Sequence, residues 1–147
     1  MRGVAVLGST GSIGRSTLAV LRRQADHFRV VALTAGRNRT LLEEQIREWQ
    51  PALAGLVHPD PACNGRIIQG SGCLVEAATH PDADIVVNAV VGSAGLEATL
   101  HALRAGKRVA LANKESLVMA GDLMLEAARE GGGEVVPVDS EHSAVLQ

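Results

Sequence analysis

Three glycines, Gly8, Gly11 and Gly14, stand G-x-x-G-x-x-G directly after the apolar run Val4-Ala5-Val6-Leu7. The spacing is a close variant of the fingerprint that lets a backbone approach a dinucleotide's pyrophosphate. Small residues are demanded because the chain must leave its strand in a tight turn, with no Cβ atoms between it and the anion. The N–H groups freed by the turn and the positive end of the following helix then face the phosphates. A glycine-rich turn that serves geometry alone is the competing reading of the same letters.

Other residues extend this chemistry. An NAD-selective fold usually carries an acid at the end of its second strand, about 20 residues past the glycines, to hold the ribose 2′-hydroxyl. Here Thr34-Ala35-Gly36 has no acid, and Arg37 offers a guanidinium fork to a 2′-phosphate, with Arg39 able to share or replace it. A bare surface arginine accounts for Arg37 equally simply. Asp139 and Glu141 are two apart, and at a strand end such residues point the same way. Two carboxylates there suit a hard divalent cation, with Ser140 beside them for a ligand. Asp139 or Ser140 as a helix cap, with Glu141 in the first turn, explains them without a metal. His142 reads as a helix-surface residue. Lys114 suits an oxyanion or enediolate oxygen, or is a solvated loop lysine. The helix-start position of Glu115 explains it without function.

The elements that must position these groups alternate between strand and helix. A strand at 3–7 leads into a helix at 12–24, with Ile13, Thr17, Val20, Leu21 and Gln24 on one stripe. A strand at 28–33 and a turn at 35–38 follow, and Thr40 caps a helix that runs to Trp49 and is stopped by Pro51. A short strand spans 53–57. Residues 58–72 are irregular, with a small strand at 66–69, and a helix at 73–79 leads to a strand at 84–90. A turn at 92–95 opens a helix with Leu96, Leu100 and Leu103 on one face, which ends at Gly106. A strand at 107–112, a turn at 113–115 and a helix at 116–130 come next, the helix burying Leu117, Ala120, Gly121, Met124 and Ala128. Glycines 131–133 break it, a strand spans 134–138, and 139–142 opens a last helix.

Apolar strands without polar alternation, each followed by a helix, predict a Rossmann-like doubly wound, mostly parallel sheet with helices on both faces. The first strand belongs near its centre. In such sheets ligands bind at the carboxyl ends of strands. The turns after 3–7, 28–33, 107–112 and 134–138 all fall on that rim, and they hold the residues named above. The opposite rim, at 26–27, 50–51, 106 and 131–133, carries ordinary turn residues.

A chain of 147 residues suits one domain, and a net charge of −2 implies no general affinity for nucleic acid. One Phe, one Trp and no Tyr leave little for stacking on bases. Cys63 and Cys73 lack metal-ligand spacing and read as reduced thiols. No apolar run approaches membrane-spanning length, and neither a signal nor a transit segment is apparent, so a bacterial cytoplasmic location without membrane contact is expected.

Four blocks go further: Gly8-Ser9-Thr10-Gly11-Ser12-Ile13-Gly14, Ala32-Leu33-Thr34-Ala35-Gly36-Arg37-Asn38, Ala112-Asn113-Lys114-Glu115-Ser116-Leu117-Val118 and Pro137-Val138-Asp139-Ser140-Glu141-His142. Together, and in register over the whole chain, they closely resemble the 1-deoxy-D-xylulose 5-phosphate reductoisomerases. That family isomerises 1-deoxy-D-xylulose 5-phosphate and reduces the product with NADPH to 2-C-methyl-D-erythritol 4-phosphate, on the non-mevalonate route to isoprenoids, using Mg²⁺, Mn²⁺ or Co²⁺. The resemblance implies that Thr10, Gly11, Ser12 and Ile13 hold the pyrophosphate side of NADPH. It implies that Gly36, Arg37 and Asn38 hold the 2′-phosphate region, and that Asn113 and Glu115 contact NADPH further along. Lys114 and Ser140 would touch the substrate, and Asp139 and Glu141 would be metal ligands. Family members run well beyond this length. Residues 1–147 are therefore expected to be the NADPH-binding domain, ending where the catalytic and metal-binding region begins, without the remaining family domains. Alone, the chain is expected to bind NADPH without turning substrate over. The full-length enzyme would be a homodimer, with the state of this chain open. Another NADP-dependent reductase, or a non-enzymatic dinucleotide-sensing module, would share the first fingerprint without the Asp-x-Glu pair.

Overall fold

Strands without polar alternation must bury both faces, and here they form a sheet that is parallel throughout. The computed structural model describes residues 1–112 and 114–138, without the side chains of Lys114, Glu115, Ser116 and Met119. In chain order the elements are β1 (Arg2–Leu7), α1 (Ser12–Arg23), β2 (Phe28–Ala35), α2 (Arg39–Trp49), β3 (Leu53–Leu56), β4 (Ile67–Gln69), α3 (Gly72–Ala78), β5 (Ile85–Asn88), α4 (Ser93–Arg104), β6 (Arg108–Leu111), α5 (Lys114–Gly131) and β7 (Glu134–Pro137). Among the described residues the strand order is β4-β3-β2-β1-β5-β6-β7, every pairing parallel. This is the expected Rossmann-like doubly wound sheet, with β1 at its centre.

Alternate residues feed two cores. Val4 and Val6 of β1 join Leu18 and Leu21 of α1 and Leu42 of α2 on one face. Ala5 and Leu7 join Leu74 of α3, Leu103 of α4 and Met124 of α5 on the other. One irregularity interrupts the alternation. Val4 pairs with Val30 but Ala5 pairs with Ala32, so Val31 is an extra residue in β2. Below this bulge Val30 faces the α1–α2 core; above it Leu33 and Ala35 do. An inserted residue shifts side-chain parity by one, and the shift puts Thr34 opposite Leu7 at the strand end.

Several sequence expectations are corrected in detail. The fully buried stripe of α1 is Gly14, Thr17, Leu18 and Leu21, rotated from the predicted one. Gly14 packs against the turn before the helix and turns that side inward. The cap of α2 is Asn38, whose Oδ1 accepts from the Leu41 N–H at 3.1 Å; it is not Thr40. Small residues, Gly95, Ala98, Thr99 and Ala102, line the inner face of α4 with Leu103, while Leu96 and Leu100 lie half-buried on its flank. β5 ends at Asn88, earlier than predicted, because its Oδ1 takes the Val90 N–H at 3.0 Å. Lys114 and Glu115 belong to the first turn of α5 rather than to a preceding turn. That helix kinks at Ala120, next to Gly121, and fully buries Ala127 in place of Ala128. The helix expected from 139–142 lies outside the described residues. No helix among the described residues is long and apolar enough to cross a membrane.

Candidate functional site

β1 leads through α1 to β2 on one side, while β5 lies on the other side of β1. The chain thus changes direction between β1 and β5, and the crevice outside their carboxyl ends is where a doubly wound sheet takes its ligand. The glycine-rich turn sits at this point. Gly8 adopts φ +82°, a conformation that side chains resist, and its neighbours across the crevice are Ala89 and Val90. Thr34 holds the turn to β2: its carbonyl accepts from the N–H groups of Gly8 at 3.0 Å and Ser9 at 2.7 Å. The bulge in β2 is what brings Thr34 there.

The three fingerprint glycines have different reasons to be glycine. A Cβ on Gly14 would lie 2.1 Å from the Gly8 carbonyl oxygen, so Gly14 is required by the packing of α1 on the turn. A Cβ on Gly11 would meet only that oxygen, at an ordinary 3.7 Å, and Gly11 has φ −77°. Nothing among the described residues requires Gly11 to be small. Gly36 is alike: a Cβ there would meet nothing within 4 Å, and its backbone is not left-handed. Gly11 and Gly36 lie at the ends of β1 and β2, on one rim; Gly65, Gly72 and Gly121 are equally free of close described neighbours.

Gly11 caps α1 with no side-chain hydrogen bond. Among the described residues the N–H groups of Thr10, Ser12 and Ile13 find no acceptor in the protein. Orphan donors at a helix start carry the positive end of its dipole and attract an anion.

At the end of β2, Arg37 and Arg39 differ sharply. Arg39 is half-buried between Glu43 and Asp60, with Nε 3.0 Å from the Asp60 carboxylate. Glu43 first, then Asp60, raise its pKa further. The Ala62 N–H and Arg39 together hold the Asp60 carboxyl below its ordinary range. Arg39 thus anchors the 57–66 loop through Asp60. Arg37 is exposed and forms no ion pair among the described residues. Asn38, as the cap of α2, spends its carbonyl oxygen on Leu41 and keeps its amide N–H groups. The Gly36 carbonyl is itself fixed by the His58 N–H at 2.9 Å.

Gly8, Thr10, Gly11, Ser12, Ile13, Gly36, Arg37 and Asn38 are therefore brought to one rim. The backbone of Lys114 and Glu115 opens α5 after β6, on the same rim. Their side chains, and all of Asn113, Asp139, Ser140 and Glu141, lie outside the described residues. Among the described residues no group of three or more His, Cys, Asp or Glu is placed to hold a metal ion.

Two buried polar residues at the site were not anticipated. Gln45 on α2 bonds Ser9 twice. Asn88 ends β5, and its amide donates to the Gly95 carbonyl at 2.9 Å and the Thr99 hydroxyl at 2.7 Å. Each carried a signal. Gln45 interrupts the apolar stripe Leu42, Ile46, Trp49, and Asn88 closes the run Ile85-Val86-Val87.

The family model for 1-deoxy-D-xylulose 5-phosphate reductoisomerase matches residues 4–121. The chain is 48% identical over 155 aligned residues to the 1-deoxy-D-xylulose 5-phosphate reductoisomerase of Halalkalibacterium halodurans, covering 100% of this chain and 41% of that protein. Among solved structures, the reductoisomerase of Zymomonas mobilis in complex with NADPH superposes with a TM-score of 0.86 at 46% identity, covering 99% of this chain and 41% of the other. A reductoisomerase in complex with NADPH, fosmidomycin and magnesium also gives 0.86, at 41% identity, covering 99% and 38%. The chain spans about two fifths of the length of the relatives it matches.

Proposed function

The chain belongs to the 1-deoxy-D-xylulose 5-phosphate reductoisomerase family, and on that premise we propose that residues 1–147 are the NADPH-binding portion of such an enzyme. The reaction proposed for the whole protein is isomerisation of 1-deoxy-D-xylulose 5-phosphate followed by reduction to 2-C-methyl-D-erythritol 4-phosphate. One observation carries the cofactor reading. Gly11 and Gly36 are small with no internal need to be, and a side chain at either would fill space in front of the rim. The residues present fit a dinucleotide phosphate. Thr10, Ser12 and Ile13 direct unpaired N–H groups at the pyrophosphate, past Gly8 and Gly11. Arg37 and the Asn38 amide take the 2′-phosphate over Gly36.

When bound, NADPH supplies hydride, and a divalent cation polarises the substrate's oxygens. The chain's own share is to orient the cofactor and stabilise charge. By resemblance to the family, Asn113 and Glu115 hold NADPH further along, Lys114 and Ser140 meet the substrate, and Asp139 and Glu141 are carboxylate ligands of Mg²⁺, Mn²⁺ or Co²⁺.

Titration of the chain with NADPH and NADH, read by nicotinamide fluorescence, tests the cofactor assignment. A charge-assisted hydrogen bond contributes about 1.5–3 kcal/mol, so one contact to the 2′-phosphate gives NADPH an advantage of about 10- to 150-fold. Arg37→Ala should erase most of it. Equal affinities in the parent chain would overturn the assignment.

A further inference from the structure

We propose that Gln45 is a positioning residue for the pyrophosphate turn, a role that rests on the dinucleotide reading above. Gln45 lies in the middle of α2 and is only 6% exposed; Ser9, in the turn, is 0% exposed. The Gln45 amide Nε2 donates to the Ser9 carbonyl at 2.9 Å, and its Oε1 accepts from the Ser9 hydroxyl at 2.7 Å. The Ser9 N–H is taken by the Thr34 carbonyl at 2.7 Å. Every polar group of Ser9 is therefore held, its N–H by β2 and its hydroxyl and carbonyl by α2.

The consequence is directional. The N-cap position of α1 is Gly11, which has no side chain to offer the helix N–H groups, and the Ser9 hydroxyl is turned inward to Gln45. With the Ser9 carbonyl tied back to Gln45, the N–H groups of Thr10, Ser12 and Ile13 are left without an acceptor among the described residues. Burying a carboxamide is costly unless it is fully hydrogen-bonded, and these two bonds are what makes Gln45 tolerable on an apolar stripe.

The same helix also sets a distance. α2 is capped by Asn38, in the turn that meets the 2′-phosphate, and Gln45 is seven residues further on, about 10 Å along the axis. One rigid element thus spaces the two phosphate-binding turns. Gln45 matters to a ligand that spans both turns and is indifferent to one that occupies the 2′-phosphate turn alone.

The test titrates the 147-residue chain with NADPH and with adenosine 2′-monophosphate, which lacks the pyrophosphate. Gln45→Met keeps the side chain's length and removes both bonds. NADPH affinity should fall about tenfold, while affinity for adenosine 2′-monophosphate stays within about twofold. Replacing both partners of a buried bond by apolar groups is nearly neutral for stability. Ser9→Ala/Gln45→Met removes both partners of the hydroxyl bond but leaves the residue 9 carbonyl without its Gln45 donor, so it should recover part of the stability lost in Gln45→Met yet keep the NADPH defect. Unchanged NADPH affinity in folded Gln45→Met overturns the proposal. So does an equal loss for both ligands, or an NADPH affinity that returns with stability in the double variant. If Gln45→Met does not fold, the double variant decides; if neither folds, Gln45 is structural and the positioning role is refuted. A parent chain that binds neither ligand refutes the dinucleotide reading itself, and this proposal with it.

Discussion

Arg37 and Arg39 are two residues apart, and only their surroundings tell them apart. Arg39 is spent on Glu43 and Asp60; Arg37 is exposed. Arg39→Ala should leave the preference for NADPH over NADH intact while loosening the 57–66 loop, seen as faster proteolysis there; a lost cofactor preference would mean that Arg39 reaches the phosphate. Asp60 has a lowered pKa, so its hold on the loop is complete above the ordinary carboxylate range and is lost as pH falls below that range through the lowered value of the folded chain. The fingerprint glycines separate in the same way. Gly11→Val meets only an ordinary contact within the protein, so it should fold and fail to bind NADPH. Gly14→Ala forces a Cβ against the Gly8 carbonyl and Ser9 backbone, and overpacking of this kind costs about 1–3 kcal/mol. Thermal unfolding should therefore separate the two variants, with a lowered midpoint in Gly14→Ala and a near-parental one in Gly11→Val, while NADPH titration shows the loss of binding in the folded Gly11→Val chain. A Gly11→Val chain that is folded and binds normally would show that the turn does not cradle phosphate.

At the scale of elements, α3 is laid so closely on β3 that a Cβ on Gly55 would come within 2.5 Å of the Cys73 Cβ. Cys73 is fully buried, and its desolvation pushes the thiol pKa up to about 11. The folded chain keeps this thiol neutral where the unfolded chain ionises it, near pH 8.5. Its stabilising effect is complete below that pH and is lost as pH rises toward the folded value, at about 1.4 kcal/mol per pH unit. Cys63, the other thiol, is half-buried and its pKa is raised as well, by desolvation first, so it adds to the decline in the same direction. Urea unfolding at pH 8 and pH 10 should show this decline, and Cys73→Ala should flatten it while lowering stability overall; an unchanged slope would locate the effect elsewhere. The loop after β5 is built on another buried side chain. Asn88→Ala strips partners from the Val90 N–H, the Gly95 carbonyl and the Thr99 hydroxyl. An unsatisfied buried group costs about 1–3 kcal/mol, so the midpoint of unfolding should drop clearly.

Over the whole molecule, the two rims divide the work. Turn chemistry occupies the amino-terminal rim; the carboxyl-terminal rim gathers Gly11, Gly36, the start of α1 and Arg37. The sheet holding this rim is most stable at its middle. β1 is paired on both sides by β2 and β5, and its residues from Val4 to Leu7 are wholly buried. β4 is a three-residue edge strand. Amide exchange should therefore be slowest in Val4, Val6 and Leu7 and at least partly local in β4, because edge pairing opens without global unfolding. NADPH should slow exchange at Thr10, Ser12 and Ile13, which have no internal acceptors. Protection of those amides that is the same with and without cofactor would argue against pyrophosphate contact.

Much of this was legible in the letters. Apolar runs of strand length, glycines after the first of them and turn residues between them specify an alternating α/β chain, because burial on both faces and tight turns each restrict residue type locally. The same local logic marked Gly8, Gly11, Gly14 and Arg37, and the four motif blocks pointed to the family. Other features depend on contacts that sequence spacing does not encode. Which of Arg37 and Arg39 stays open depends on Asp60, 21 residues further along and brought close by the β3 loop. Why Gly14 is glycine and Gly11 merely small depends on where α1 settles against its own turn. The bulge at Val31 and the two hydrogen bonds between Gln45 and Ser9, 36 positions apart, exist only once β2 and α2 are docked. Local propensity chose the elements; packing between distant segments decided which polar groups are consumed internally and which are left to meet a ligand.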